Sequence, residues 1–222
     1  MWIKICANTT LDDALMAAEA GADAVGFVFA PSKRRVVAAQ VAAITPHLPS
    51  HVEKVGVFAT PDAEEIARAA TEAGLDTVQL HGGVNLALAR AVAAKLPGVQ
   101  IIPTLSWVVD GGPEQENEAT RQLAEVASAP EGYRVLVDSK IGSATGGTGV
   151  HFDWGRARGV LKQHNALRLI VAGGLTPENV GEAIAALEPW GVDVASGVEQ
   201  SAGVKDRAKV EAFIQRARAT AR

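Results

Sequence analysis

The sequence predicts an α/β fold, a single-domain (β/α)8 TIM barrel with a closed parallel sheet, spanning residues 1–222. Three observations predict it. Short β-branched or apolar runs alternate along the chain with longer alanine-rich stretches of helical period, the pattern of a parallel sheet wrapped by helices. Eight such runs can be counted, the number that closes a barrel. The 222 residues, 48% of them apolar, are enough for one sizeable core, and no composition shift marks a domain boundary.

The predicted strands cover residues 2–6, 24–29, 54–58, 77–80, 100–104, 134–138, 168–172 and 192–195. Between them, helix starts are marked by caps. Thr10 with Asp13 three residues later forms a capping box, followed by Leu11, Leu15 and Ala18 on one face. Thr60-Pro61 and Thr176-Pro177 each offer a hydroxyl at the N-cap and a proline at the first helical position, where a missing N–H costs nothing. Val180, Ile184 and Leu187 continue the second of these at helical spacing, and Val210, Phe213 and Ile214 form the apolar face of the last helix. The polar stretch 110–131 carries the weakest pattern.

Composition narrows the function. With 21 basic and 25 acidic residues the formal net charge is −4, so no basic field attracts nucleic acid or an anionic membrane. No long apolar run and no secretion signal is found, which leads us to expect a cytoplasmic protein. A single cysteine excludes an intramolecular disulfide framework and a Cys-x-x-Cys metal site, and no metal is expected.

In a barrel, chemistry gathers where side chains at the C-terminal strand ends face the mouth. Cys6 ends the first strand and reads either as a small buried hydrophobe or as a reactive thiol. Asp138 ends the sixth, after Val135-Leu136-Val137, as an N-cap, a loop hydrogen-bonding group or a catalytic carboxylate. Arg35 lies in a basic run after the second strand, solvated or substrate-binding. Gln79 and His81, at the end of the fourth, line the mouth, His81 being a structural imidazole or a site residue. Gly173-Gly174 and Ser196-Gly197 follow the last two strands, where bare backbone N–H groups can approach a phosphate, although tight turns need glycine too. Thr145-Gly146-Gly147-Thr148-Gly149 reads as a lid over the mouth or as a plain flexible connection.

Taken together and in order, these residues resemble the phosphoribosylanthranilate isomerase family of tryptophan biosynthesis. The likeness runs through Lys4-Ile5-Cys6, the stretch from Gly21-Ala22-Asp23 to Phe29 and the basic run to Arg35, Val55-Gly56-Val57-Phe58 and Val78-Gln79-Leu80-His81-Gly82. It continues through Leu136-Val137-Asp138, Gly146-Gly147-Thr148-Gly149, Phe152-Asp153-Trp154, Ala172-Gly173-Gly174-Leu175, Pro177-Glu178-Asn179-Val180 and Val192-Asp193-Val194-Ala195-Ser196-Gly197-Val198-Glu199. One departure is plain: the family usually has glycine after the cysteine, and this chain has Ala7 followed by Asn8. If that glycine uses a positive φ, Ala7 is strained by roughly 1 kcal/mol or more.

The resemblance implies an Amadori rearrangement of N-(5-phospho-β-D-ribosyl)anthranilate into 1-(2-carboxyphenylamino)-1-deoxy-D-ribulose 5-phosphate. It also implies a small phosphoribosyl substrate as partner, no cofactor, and a monomer or homodimer. Asp138 would be the general acid and Cys6 the base, Arg35 would hold the anthranilate carboxylate, Gln79, His81, Gly147 and Asp193 would border the substrate, and Gly173, Gly174, Ser196 and Gly197 would hold the phosphate. At pH 7 an ordinary aspartate is ionised and an ordinary thiol is not. Half-protonation of Asp138 at pH 7 requires raising its pKa by about three, worth roughly 4 kcal/mol. Strand alternation places Lys4 on the face of Cys6, where it would favour the thiolate, and barrel closure places Asp193 beside Lys4 as its expected ion-pair partner. The competing readings are the related barrel isomerase of histidine biosynthesis, which typically uses two aspartates, a dual-substrate barrel, and a non-catalytic phosphosugar-binding barrel.

Overall fold

The computed structural model describes residues 1–108, 112–140 and 154–221. Eight parallel strands close into a barrel in chain order: β1 (Trp2–Ile5), β2 (Ala24–Val28), β3 (Glu53–Phe58), β4 (Thr77–Leu80), β5 (Gln100–Val108), β6 (Arg134–Lys140), β7 (Arg168–Ala172) and β8 (Gly191–Val194). Closure occurs where β1 pairs with β8, with Trp2 opposite Gly191 and Lys4 opposite Asp193. Outside the barrel lie α1 (Leu11–Glu19), α2 (Ala38–Ala42), α3 (Ala63–Glu72), α4 (Leu86–Lys95), α5 (Gly112–Ser128), α6 (Trp154–Leu161), α7 (Val180–Leu187) and α8 (Arg207–Thr220). All eight expected strands are present. β5 and β6 run further than their apolar cores suggest and stay paired to their ends, Ser106 with Asp138 and Val108 with Lys140. After β8 comes an element the sequence reading did not anticipate, the antiparallel hairpin β9 (Glu199–Ser201) and β10 (Val204–Lys205).

The caps differ in detail from expectation. Thr10 does cap α1, its side chain accepting from the Asp13 N–H. The buried face of α1, however, carries Ala14, Ala17 and Ala18, while Leu11 and Leu15 are only half-buried, because small side chains let this helix sit close on the sheet. Helix α3 starts later than Thr60-Pro61 suggests: Asp62 is its N-cap, accepting from the N–H groups of Glu64 and Glu65. Thr60 instead accepts from the Asp62 N–H, shaping the approach to the helix. Thr176 likewise opens a turn, and α7 begins at Val180. Segment 110–131, the least legible, forms α5 and buries Ala119, Leu123 and Val126.

Two apolar regions result. The larger fills the layer between sheet and helices, and includes Ile3, Val25, Phe27, Val135 and Val137. The smaller fills the bore with Ile102, Leu136, Ile170 and Ala172, packed against Trp2 and Trp190; burying one such large side chain contributes about 1.5–3 kcal/mol. Below it Trp2 and Trp190 stack at 5.6 Å, with the Arg134 guanidinium 5.2 Å from the first ring and 5.6 Å from the second. Arg134 donates to Glu53 at 2.8 Å, and Trp2 Nε1 and Thr77 Oγ1 donate to the same carboxylate. This charged and aromatic cluster fills the N-terminal end of the bore. Burial opposes the charge on Glu53, but Arg134, Thr77 and Trp2 hold its carboxyl below the ordinary glutamate value. Among the described residues, no helix is long and apolar enough to cross a membrane.

Candidate active site

Period-two alternation sorts the strand residues by depth. Along β1, Trp2, Lys4 and Cys6 share the bore-facing side at floor, middle and mouth; along β6, Arg134, Leu136 and Asp138 do the same. The floor contacts of Trp2 and Arg134 and the bore position of Leu136 establish which side this is. Cys6 and Asp138 therefore both stand at the C-terminal end of the bore, on strands separated by β7 and β8. Asp138 is half-buried and lies opposite Ala172, immediately before Gly173-Gly174.

Cys6 is buried, and its N–H donates to Val194 O at 2.7 Å, continuing the β1–β8 ladder. Beneath it Lys4 is fully buried. Its ammonium donates to Gln79 Oε1 at 2.8 Å and meets the Asp193 carboxylate at 3.0 Å. The expected Lys4–Asp193 pair is thus present, and it follows directly from barrel closure. Burial opposes the lysine's charge, yet Asp193 and Cys6 outweigh it and hold Lys4 above the ordinary lysine value. The thiol behaves differently from expectation. Burial raises Cys6, Lys4 pulls it down, Asp193 pushes it back up, and the net position is above the ordinary thiol value. Lys4 does not offset the burial of the thiol, and the aspartate that makes the lysine's own burial tolerable also cancels part of its field.

Gln79 is placed deeper than expected. It is 3% exposed and carries Lys4 rather than lining an open mouth. His81 is half-buried just beyond β4, with its N–H donating to Phe58 O at 2.7 Å. Arg35 is exposed at the rim and lines a cleft of about 610 Å³ with Phe29, Phe58 and Arg68, a cleft that includes neither Cys6 nor Asp138. Gly147 and the glycine-rich run around it lie outside the described residues.

The loops after β7 and β8 need their glycines. Gly173 has a φ of 89°, and a Cβ there would lie 2.1 Å from Ser139 Oγ. At Gly197 a Cβ would meet Leu175 O at 1.9 Å, so the two loops touch backbone to backbone. Gly174, also at positive φ, and Ser196 are exposed beside this contact. Ala7 resolves the sequence departure: its φ is 63°, the left-handed region, which costs a non-glycine residue about 1–2 kcal/mol. Asn8 brackets it, donating from its N–H to Gly26 O at 2.9 Å and from Nδ2 to Ile5 O at 2.8 Å.

Three residues of the rim escaped the sequence reading. Glu199 is buried and accepts from Arg34 Nε at 2.8 Å, from Arg34 Nη2 at 2.6 Å and from Lys205 Nζ at 3.3 Å. The basic run offered Arg34 and Arg35 alike, and only the hairpin shows which of them is held. His47 and His51 stand at His-x-x-x-His spacing but on either side of Pro49, His47 as the last residue of a short 3₁₀ turn and His51 beyond it. Among the described residues, no three histidine, cysteine, aspartate or glutamate side chains gather as metal ligands.

A family model described as N-(5'phosphoribosyl)anthranilate isomerase matches residues 3–216. The chain belongs to this isomerase family. It is 40% identical to the N-(5'-phosphoribosyl)anthranilate isomerase of Roseiflexus sp. (strain RS-1), over 99% of this chain and 98% of that one. Among solved structures it resembles the phosphoribosyl anthranilate isomerase of Thermotoga maritima, with a TM-score of 0.83, 35% identity and 99% of both chains covered. Another family structure holds reduced 1-(o-carboxyphenylamino)-1-deoxyribulose 5-phosphate and matches with a TM-score of 0.80 and 34% identity, over 99% of each chain.

Proposed function

We propose that the protein isomerises N-(5'-phosphoribosyl)anthranilate to 1-(2-carboxyphenylamino)-1-deoxyribulose 5-phosphate, with Asp138 as general acid and Cys6 as general base. Asp138 donates its proton to the furanose ring oxygen as the C1–O bond breaks, and the nitrogen lone pair forms the iminium. Cys6 takes the C2 proton, the C–H electrons neutralise the iminium, and the resulting enolamine becomes the ketone.

The observation that carries this reading is that one thiol and one carboxyl group stand on the bore-facing side of β1 and β6, at the opposite end of the barrel from the apolar cluster on Trp2 and Trp190. A buried thiol held above its ordinary value is a poor base at rest. The cationic iminium formed in the first step opposes that penalty, so the thiolate is favoured when the substrate needs it. Lys4 and Asp193 support the thiol from below. The loops bearing Gly173, Gly174, Ser196 and Gly197 suit a phosphate, as loops after the last two strands of such barrels do. Arg35, exposed at the rim, suits the aryl carboxylate through its planar fork of donors.

Turnover is followed by the loss of substrate fluorescence. Cys6→Ser and Asp138→Asn should each lower kcat by about a hundredfold or more, the usual share of a general acid or base. Wild-type turnover in either variant would overturn its assignment; no turnover by the wild type would overturn the function.

A further inference from the structure

Asn8 is fully buried two residues beyond Cys6, and the proposed chemistry gives it no part. All of its printed hydrogen bonds go to backbone. Its N–H and its Nδ2 both donate to Gly26 O, at 2.9 and 3.2 Å, and Nδ2 donates also to Ile5 O at 2.8 Å. Ile5 is the residue before Cys6, and Gly26 is the point on β2 against which the thiol rests: a Cβ there would lie 2.7 Å from Cys6 Sγ and 3.1 Å from Cys6 Cα. The amide therefore grips the chain on the near side of Cys6 and also the wall on which Cys6 leans. Its Oδ1 finds no hydrogen-bond partner among the described residues. A buried amide oxygen left unpaired is destabilising, so packing alone does not favour asparagine here; the donors are what it supplies. Between Ile5 and Asn8 stands Ala7 with a φ of 63°, a conformation that a Cβ disfavours and glycine adopts freely.

We infer that Asn8 is a positioning residue: its Nδ2 hydrogen bonds hold Ala7 in the left-handed turn and so keep the Cys6 thiol against Gly26 at the mouth of the bore. The effect on turnover rests on the proposed function, with Cys6 as base, whereas the effect on the thiol's position does not. Released from this grip, residue 7 with its Cβ falls back toward negative φ, which turns the chain after Cys6 and lifts the thiol off β2. With glycine at position 7 the left-handed conformation carries no such penalty, and the amide has nothing to hold against. Asn8 and Ala7 are therefore coupled, and the cost of losing the amide depends on which residue stands at position 7.

The test is a double-mutant cycle of wild type, Asn8→Leu, Ala7→Gly and the double variant, with thermal unfolding in parallel to show that each is folded at the assay temperature. Cys6 is the single cysteine, so the rate of alkylation by iodoacetamide reports this thiol alone. Asn8→Leu should speed alkylation about tenfold or more and lower kcat about tenfold or more, with KM held within about threefold, as expected when a reacting group is misplaced. In the Ala7→Gly background the same substitution should change either rate by less than about threefold. Asn8→Ala, which cannot overpack the site, should repeat the pattern. Equal effects of Asn8→Leu in the two backgrounds overturn the inference, as does an alkylation rate unchanged in both Asn8→Leu and Asn8→Ala. Alkylation that is accelerated by Asn8→Leu and restored by Ala7→Gly, while kcat stays at the wild-type value throughout, upholds the positioning role and overturns Cys6 as the base.

Discussion

Replacing Gly197 with alanine puts one methyl group where the loops after β7 and β8 meet. Its nearest neighbours would be Leu175 O at 1.9 Å, Leu175 C at 2.9 Å and Thr176 Cα at 3.1 Å. All three are backbone atoms, so no side-chain rotation relieves the clash. A carbon rests no closer to a carbonyl oxygen than about 3.3 Å, so the loops must part by roughly 1.4 Å. Overpacking of this kind costs about 1–3 kcal/mol, a fall in Tm of roughly 2–12 °C for a chain of this length. A displacement near 1 Å in a positioning element can cost on the order of a hundredfold in rate. Gly197→Ala should therefore raise the inhibition constant of inorganic phosphate and lower kcat/KM far more than its loss of stability explains. The control is Gly98→Ala: Gly98 also has positive φ, at 90°, but opens onto free space far along the chain from either loop. It should lose about 1–2 kcal/mol of stability from backbone strain and leave phosphate inhibition unchanged. Unaltered phosphate inhibition in Gly197→Ala, or an equal loss in Gly98→Ala, would refute the argument that close loop contact builds the phosphate site.

Other outcomes follow from the charges and the backbone. Glu53 has a folded-state pKa below its ordinary 4.5, so its contribution to stability is complete above that value and is lost as pH falls through the folded-state pKa. Glu53→Gln should be less stable than wild type at neutral pH, and the two urea midpoints should converge as pH falls through the folded-state pKa. Because Cys6 lies above the ordinary thiol value, the ultraviolet absorbance of its thiolate, read as the difference from Cys6→Ser, should still be rising with pH through the ordinary thiol range; a plateau reached by about pH 7 would contradict that. Arg35→Ala should raise KM or lower kcat/KM by more than about tenfold while phosphate inhibition holds, as expected for loss of a charged bidentate partner. In Ala7→Gly, relief of about 1–2 kcal/mol of strain is offset by about 0.8 kcal/mol of lost methyl burial and a more flexible unfolded chain. Its denaturation midpoint should stay near wild type, and a destabilisation above about 2 kcal/mol would show that the methyl packing outweighs the strain.

Much of this was legible in the linear chain because it depends on local periodicity. Eight apolar runs with alanine-rich stretches between them specify strands, helices and their parallel order, and a closed sheet necessarily brings β1 beside β8. That is why the Lys4–Asp193 pair followed from residue spacing and closure, and why Cys6 could be assigned to the end of β1 and Asp138 to the later part of β6, which runs on to Lys140. Helix starts were less legible: Thr60 and Thr176 shape turns before the helices, since the first side chain able to reach two free N–H groups can lie a residue or two later, as Asp62 does.

What the chain order could not express was distance and depth. Gln79 reads as a rim residue until the barrel's curvature places it in the bore against Lys4. The Cys6 thiol reads as activated by Lys4 until burial and Asp193 are weighed together, because desolvation depends on everything around a group and not on its neighbours in sequence. Arg34 and Arg35 are indistinguishable as two basic residues in a run; the hairpin carrying Glu199, which arrives from the far end of the chain, separates them. The positive φ at Ala7 is likewise set by the turn that the finished barrel imposes after β1, which the residue then has to adopt.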